Sequence, residues 1–85
     1  MKKILLATAL SLSPFAALAM PAVGDVVGTN PTDATAALAA KGCAVTDFEA
    51  EDGKVEAVCK DEAGKTWEVV IDPKSGAVTE LKAGD

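Results

Sequence analysis

The sequence has no histidine, no arginine and no tyrosine, and aromatic residues make up only 4% of its 85 residues. Without histidine, the chain lacks the commonest general base and the usual partner of a serine nucleophile. It also lacks the imidazole ligands of a zinc site built from His and Cys. The sequence therefore predicts a protein that is not an enzyme, with no catalytic residue, no metal ligand and no cofactor.

Basic residues are scarce as well. Apart from Lys2 and Lys3, six lysines stand against 13 acidic residues, which gives a formal net charge of −7. Recognition of nucleic-acid phosphates depends on clustered Lys and Arg, so this balance excludes nucleic acid as a partner. A surplus of negative charge is typical of a protein kept soluble by self-repulsion.

The first nineteen residues have the three parts of a secretory signal peptide. A basic start at residues 2–3 precedes an apolar run over residues 4–12, and small residues follow at Ala17 and Ala19. The apolar run is shorter than the roughly 18 to 20 residues that a membrane span needs. We therefore expect cleavage before Met20 and a secreted, periplasmic protein with no membrane attachment after cleavage.

Two cysteines, Cys43 and Cys59, lie sixteen positions apart. In an oxidising compartment such a pair normally forms a disulfide, and a domain this small often needs a cross-link. The alternatives are a redox centre, which favours a close C-x-x-C pair, and a metal site, which needs four ligands. Neither pattern is present, so we predict a structural disulfide.

Residues 20–29 contain glycine and proline and show no regular spacing of apolar residues. This composition predicts an extended leader. A helix start follows, with Asn30 as N-cap and Pro31 at the first helical position. The helix is predicted to reach about Lys41, and Gly42 supplies its C-terminal cap. A helix this short is not stable alone, so its apolar face must pack against something flat.

Four predicted strands follow the helix, separated by turn signals. They cover residues 43–50, 54–60, 66–72 and 77–82. Short turns between successive strands force antiparallel neighbours. The sequence thus predicts an α+β domain over residues 30–82, with one N-terminal helix packed on a four-stranded antiparallel meander sheet, and a tail at 83–85.

The predicted strands have one apolar and one largely polar face. Trp67 belongs to the apolar face beneath Leu38, and it is either a core anchor or a binding residue. The polar face carries three valines, Val58, Val70 and Val78. They form a candidate contact face, although single exposed valines are also common in strands.

Acidic residues alternate from Asp47 to Asp52, just before Gly53. The spacing does not match a calcium-binding EF-hand loop, which places its glycine sixth and a glutamate twelfth. Solvated charge at a hairpin tip is one interpretation of this cluster. The alternative is a weak metal or small-ligand site in an envelope protein.

The segment from Trp67 to Val78, with sequence WEVVIDPKSGAV, resembles the PepSY domain family. That family typically has an aromatic-led strand, an aspartate, a Ser/Thr-Gly turn and a following apolar residue. The helix from Ala34 to Lys41 and Gly42 is similar to the family's opening helix. The resemblance covers about residues 30–82.

This resemblance implies a helix packed on an antiparallel sheet, outside the cytoplasm, without catalytic residues. It also implies a role in binding or inhibiting a peptidase or another envelope protein. The cysteine pair is not part of the family's general pattern. Because no peptidase is attached to this sequence, we expect any inhibition to act in trans.

Overall fold

A computed structural model describes residues 20–84, so the predicted signal peptide with Ala17 and Ala19 lies outside the described residues. Cleavage before Met20 stays a prediction.

The described part contains one helix and four strands: α1 Pro31–Ala40, β1 Ala44–Glu51, β2 Lys54–Lys60, β3 Thr66–Ile71 and β4 Val78–Ala83. The strands form one antiparallel sheet in the order β1-β2-β3-β4. The predicted α+β class and meander sheet are confirmed. Within residues 20–84, no helix has the length and apolar character needed to cross a membrane.

The start of α1 is fixed by the predicted N-cap. Asn30 has an extended backbone, and its side chain accepts a hydrogen bond from the Asp33 backbone N–H at 2.9 Å. Pro31 occupies the first turn, where its missing N–H costs nothing. The chain therefore enters the helix at the residue that the sequence indicates.

The end of α1 is a Schellman motif. The Gly42 N–H donates to the Ala39 carbonyl at 3.0 Å, and the Cys43 N–H donates to the Leu38 carbonyl at 2.9 Å. Gly42 has φ 86°, a left-handed conformation that glycine adopts without a Cβ clash. This cap turns the chain directly from the helix into β1.

The turn between β1 and β2 is a tight two-residue hairpin. Asp52 and Gly53 have φ 52° and 76°, as a type I′ turn requires. Near the other end of β1, the register shifts between Val45 and Asp47, which places a bulge at Thr46. The two devices set which side chains of β1 face the helix.

The core lies between α1 and one face of the sheet. Leu38 is completely buried and Ala34 nearly so. The sheet supplies most of the other buried core residues: Ala57, Cys59, Val69, Ile71 and Val78. Trp67 packs against this cluster from its margin and is partly buried.

The predicted contact face of three valines is wrong for Val78. An extra residue, Thr79, shifts the register where β3 pairs with β4, so Val78 lies opposite Ile71 on the core side. It is 1% exposed. Val70 and Val58 do lie on the opposite face, but Val70 is itself buried and Val58 is half-buried. A bulge reverses the alternation of side chains, so the period of two that places Val78 beside Val70 does not hold across Thr79.

The segment predicted as a leader packs against the sheet. Val26 forms an antiparallel bridge with Ala77, and the Gly24 N–H donates to the Val78 carbonyl at 2.8 Å. Val27 is 4% exposed and belongs to the core cluster. Residues 24–27 therefore cover the beginning of β4.

Two glycines allow this close packing. Gly76 has φ 75°, and a Cβ at that position would lie 2.7 Å from the Gly28 carbonyl carbon. The Gly76 carbonyl also accepts the Val27 N–H at 2.8 Å. Any side chain at position 76 would push the leader away from the turn before β4.

Candidate functional site

Cys43 and Cys59 form a disulfide, as predicted. Their Cα atoms are 5.3 Å apart, and both residues are fully buried within the core cluster. The bond ties the end of α1 to the centre of the sheet, because Cys43 follows the helix cap and Cys59 lies on β2. Its complete burial favours a structural role over exchange with external thiols.

The turn that carries the family resemblance is held by the side chain of Asp72. Its carboxylate accepts backbone N–H bonds from Lys74 at 2.8 Å and Ser75 at 3.4 Å, and these bonds lower its pKa. The Ser75 Oγ accepts the Ala77 N–H at 3.2 Å. The Asp and Ser of this motif thus build a turn, as Gly76 does.

Trp67 is held in place by Asp61. Its Nε1–H donates to the Asp61 carboxylate at 2.9 Å, and the same carboxylate accepts backbone N–H bonds from Lys65 and Ala63 at 2.9 Å each. The Trp67 bond, with support from the Lys65 and Ala63 amides, lowers the pKa of Asp61. The Lys65 Nζ lies 4.7 Å from the centre of the indole ring. These contacts give Trp67 a structural role at the margin of the core.

Acidification tests the Asp61 contacts. Because folding holds the pKa of Asp61 below its ordinary value of 3.8, the unfolded chain takes up this proton first as the pH falls. The stabilisation is complete above the ordinary pKa and is lost as the pH falls through the lower folded value. We expect the melting temperature of the wild type to drop more between about pH 6 and pH 3 than that of Asp61→Asn, measured by circular dichroism.

The control for this experiment is Glu62→Gln, which removes an exposed carboxylate next to Asp61. It should keep the wild-type dependence on pH. Equal slopes for Asp61→Asn and the wild type would show that the Asp61 carboxylate contributes nothing to acid sensitivity.

The sheet face that points away from α1 is dominated by charge. Lys82 lies 3.5 Å from Glu56 and 3.7 Å from Glu68, and Glu56 is only 8% exposed. Glu68 is the cross-strand partner of Val58. With Val70 buried, Val58 is the only one of the three predicted valines with appreciable exposure on this face, and its role in a contact stays a prediction.

An apolar cavity of about 260 Å³ opens on the helix side of the sheet. It lies between the N-terminal end of α1 and the tip of the β1–β2 hairpin. It is lined by Gly28, Thr29, Asn30, Pro31, Ala34, Phe48, Glu49, Ala50, Val55, Ile71 and Pro73. No pattern in the sequence predicts this cavity directly. The available signal was length: a helix of ten residues spans about 15 Å and covers only part of a four-stranded sheet.

The family described as "Peptidase propeptide and YPEB domain", PepSY for short, matches residues 3–82. The chain belongs to this family. The match confirms the resemblance seen in the strand and turn from Trp67 to Val78. PepSY domains are generally non-catalytic, propeptide-like domains that are associated with peptidases and occur in extracellular or envelope proteins. No curated protein and no solved structure matches the chain.

Several acidic residues of this PepSY domain lie near the tip of the β1–β2 hairpin, beside the cavity. The pKa of Glu51 is raised, first by a hydrogen bond with Glu56 and then by the negative charges of Glu56 and Asp52. Among residues 20–84, no group of three or more Cys, Asp or Glu side chains is arranged to hold a metal ion. Acidic side chains thus lie close together at this end of the sheet, next to an apolar opening.

Proposed function

We propose that this PepSY domain is secreted into the periplasm and there binds and restrains a separate peptidase without catalysing a reaction itself. Two findings support the proposal. The family is associated with peptidases, and the domain leaves an apolar cavity open beside an edge strand of its sheet. The cavity carries the proposal because it offers an anchor point for another protein.

The cavity is small, and its position beside an edge strand suits a side chain of a partner protein. Pockets for drug-sized molecules typically occupy about 300 to 1,000 Å³, whereas this one holds about 260 Å³. Anchoring of one large apolar side chain in such a pocket is the usual core of a protein interface. A peptidase loop that inserts one residue here would be held close to the sheet and kept from its substrates.

The alternative is an envelope protein that binds a small apolar ligand or a metal ion. The apolar lining of the cavity favours a small apolar ligand. The metal ion is suggested only by the acidic stretch from Asp47 to Asp52. A calcium titration that leaves the melting temperature unchanged would argue against the metal form.

The proposal is tested with the full chain exported by a bacterial host. N-terminal sequencing of the purified product should give Met20 as its first residue. Oxidised product is then added to a cell-envelope extract of the source organism, and hydrolysis of a fluorogenic protein substrate is followed. We expect inhibition that saturates as the protein is added, because each peptidase molecule offers one binding site that becomes fully occupied.

The cavity is tested with an Ala50→Leu variant, which fills it from the β1 side. The matched control is Ala63→Leu, which makes the same change in an exposed turn. The cavity variant should inhibit less, and the turn variant should inhibit like the wild type. If the wild type has no effect on any peptidase activity in the extract, restraint of a peptidase is not its function.

A further inference from the structure

The outer edge of β1 has backbone groups that face away from the rest of the sheet. Strand β1 is an outer strand of the sheet, and within residues 20–84 its free side has no strand partner. The two-residue turn makes Glu51 and Lys54 a hydrogen-bonded pair, so alternation points the backbone groups of Phe48 and Ala50 outward. The Phe48 N–H accordingly donates to the Asp47 side chain at 2.9 Å. The edge can therefore accept another extended chain.

The opposite edge of the sheet is less accessible. The backbone of Val78 at the start of β4 already bonds to the leader, with its N–H donating to the Asp25 carbonyl and its carbonyl accepting the Gly24 N–H, both at 2.8 Å. An added strand would have to displace residues 24–27 there. The free edge of β1 is the better place for a partner.

The apolar and the acidic side chains of β1 lie on opposite faces of the strand. Phe48 and Ala50 face the helix side and line the apolar cavity. On the other side of the strand stand three exposed carboxylates, those of Asp47, Glu49 and Glu51. Among the residues that the structure describes, no lysine lies within salt-bridge distance of these three. The edge is thus apolar on one side and mostly acidic on the other, where Lys54 is the cross-strand neighbour of Glu51.

We propose that an extended peptide segment with alternating apolar and basic residues adds to the sheet along β1. Its backbone would pair with Ala50 and, in place of the Asp47 side chain, with Phe48. One apolar side chain would enter the cavity, and its Lys or Arg side chains would face Glu49 and Glu51. This inference deepens the proposed function, on which it rests, by naming the contact edge and the chemistry of the partner segment. Strand addition of this kind draws its affinity from the main chain and its specificity from alternate side chains.

Charge distinguishes this partner from a second copy of the chain. Two copies paired through β1 would bring the carboxylates of Asp47, Glu49 and Glu51 against the same residues of the other copy. Like charges directly opposite each other destabilise strand pairing, and an acidic edge strand is a known device against such self-association. The pKa of Glu51 is raised, first by a hydrogen bond with Glu56 and then by the negative charge of Glu56, while Lys82 acts in the opposite direction.

The test uses a short capped peptide that alternates Val and Lys. It is N-methylated along one edge, so that it cannot pair with itself. Binding is followed by isothermal calorimetry, and contact is mapped by amide hydrogen exchange. We expect the outward-pointing Ala50 N–H to exchange freely in the unbound protein and to become protected on binding. The Glu49 N–H, which faces β2, should be protected in both states.

Charge is tested with a double variant, Glu49→Lys with Glu51→Lys. It should weaken binding of the Val and Lys peptide by about tenfold or more, and it should bind a Val and Glu peptide better than the wild type does. The control, Glu62→Lys with Glu80→Lys, makes the same change in net charge at exposed positions away from β1 and should change affinity by less than about twofold. Since a lysine at position 51 would face Lys54, Glu49→Gln with Glu51→Gln serves as a milder second variant.

The outcomes separate this inference from the proposed function. Binding that protects Ala50 and responds to the edge variants supports strand addition, even if no peptidase is inhibited. Peptidase inhibition that persists unchanged in the edge variants, or peptide binding without protection of Ala50, would overturn strand addition at β1 while leaving restraint of a peptidase intact.

Discussion

Replacing both Cys43 and Cys59 by alanine is expected to lower the free energy of unfolding by about 3 kcal/mol. The disulfide closes a loop with a sequence separation of 16, and the open chain regains the entropy that this loop removes from the unfolded state. The loss matters because a domain of this size buries only a modest core. Urea denaturation followed by circular dichroism, with the transition midpoint and slope compared between the two proteins, measures the effect.

Reduction of the wild type is the matched control, because it removes the cross-link and keeps both sulfur atoms. Reduced wild type should lose most of the same free energy, and the double variant should lose slightly more because its smaller side chains leave space in the core. If both proteins unfold at the urea concentration of the oxidised wild type, the disulfide does not stabilise the fold.

The local features of this fold could be predicted from the sequence. The N-cap at Asn30, the Schellman glycine at Gly42 and the hairpin turn at Asp52 and Gly53 each depend on a few neighbouring residues. In each case one residue type satisfies a backbone requirement that its neighbours cannot. The disulfide was also predictable, since the chain has two cysteines and its N-terminus indicates secretion.

Features that depend on distant contacts were not predictable in this way. The bulge at Thr79 moves Val78 from the polar face into the core. No residue near it in the sequence signals a bulge, because the register there follows from pairing with β3. A charge placed at Val78 to probe a surface contact would instead be buried against Ile71, so its effect would report on folding.

The packing of residues 24–27 is a second example. Their sequence has no strand period, yet Val27 is buried and Val26 pairs with Ala77. The contact is possible because Gly76 has no Cβ, which would otherwise clash with the backbone of Gly28. The glycine of the family turn therefore has a tertiary role that a local reading of the turn does not reveal.

The candidate site follows from a mismatch between helix and sheet. The sequence predicts both elements, but neither shows that α1 stops short of the hairpin tip and leaves the cavity open. The same hairpin carries the acidic residues from Asp47 to Asp52, for which the sequence alone favours solvated charge. Their position beside the cavity and the free edge of β1 is the basis of the proposed recognition of a partner segment.

The largest effect of a single substitution is expected at Leu38, the residue of α1 that lies deepest in the core. Leu38→Ala should lower the free energy of unfolding by about 2 to 5 kcal/mol, because it removes buried methyl groups and leaves a void that the sheet can fill only in part. Leu38 is completely buried, and α1 has no other large apolar residue to replace its contacts. Urea denaturation of the oxidised protein measures the loss.

The control is Thr35→Ala, one turn earlier on the exposed side of the same helix. It should leave stability nearly unchanged or raise it slightly, because alanine has a higher helix propensity than threonine. The comparison separates packing from helix propensity, since both variants place alanine in α1. A loss below about 1 kcal/mol for Leu38→Ala would mean that the sheet does not depend on the helix for its cover. In that case an open apolar face, rather than one defined cavity, would be the surface available to a partner.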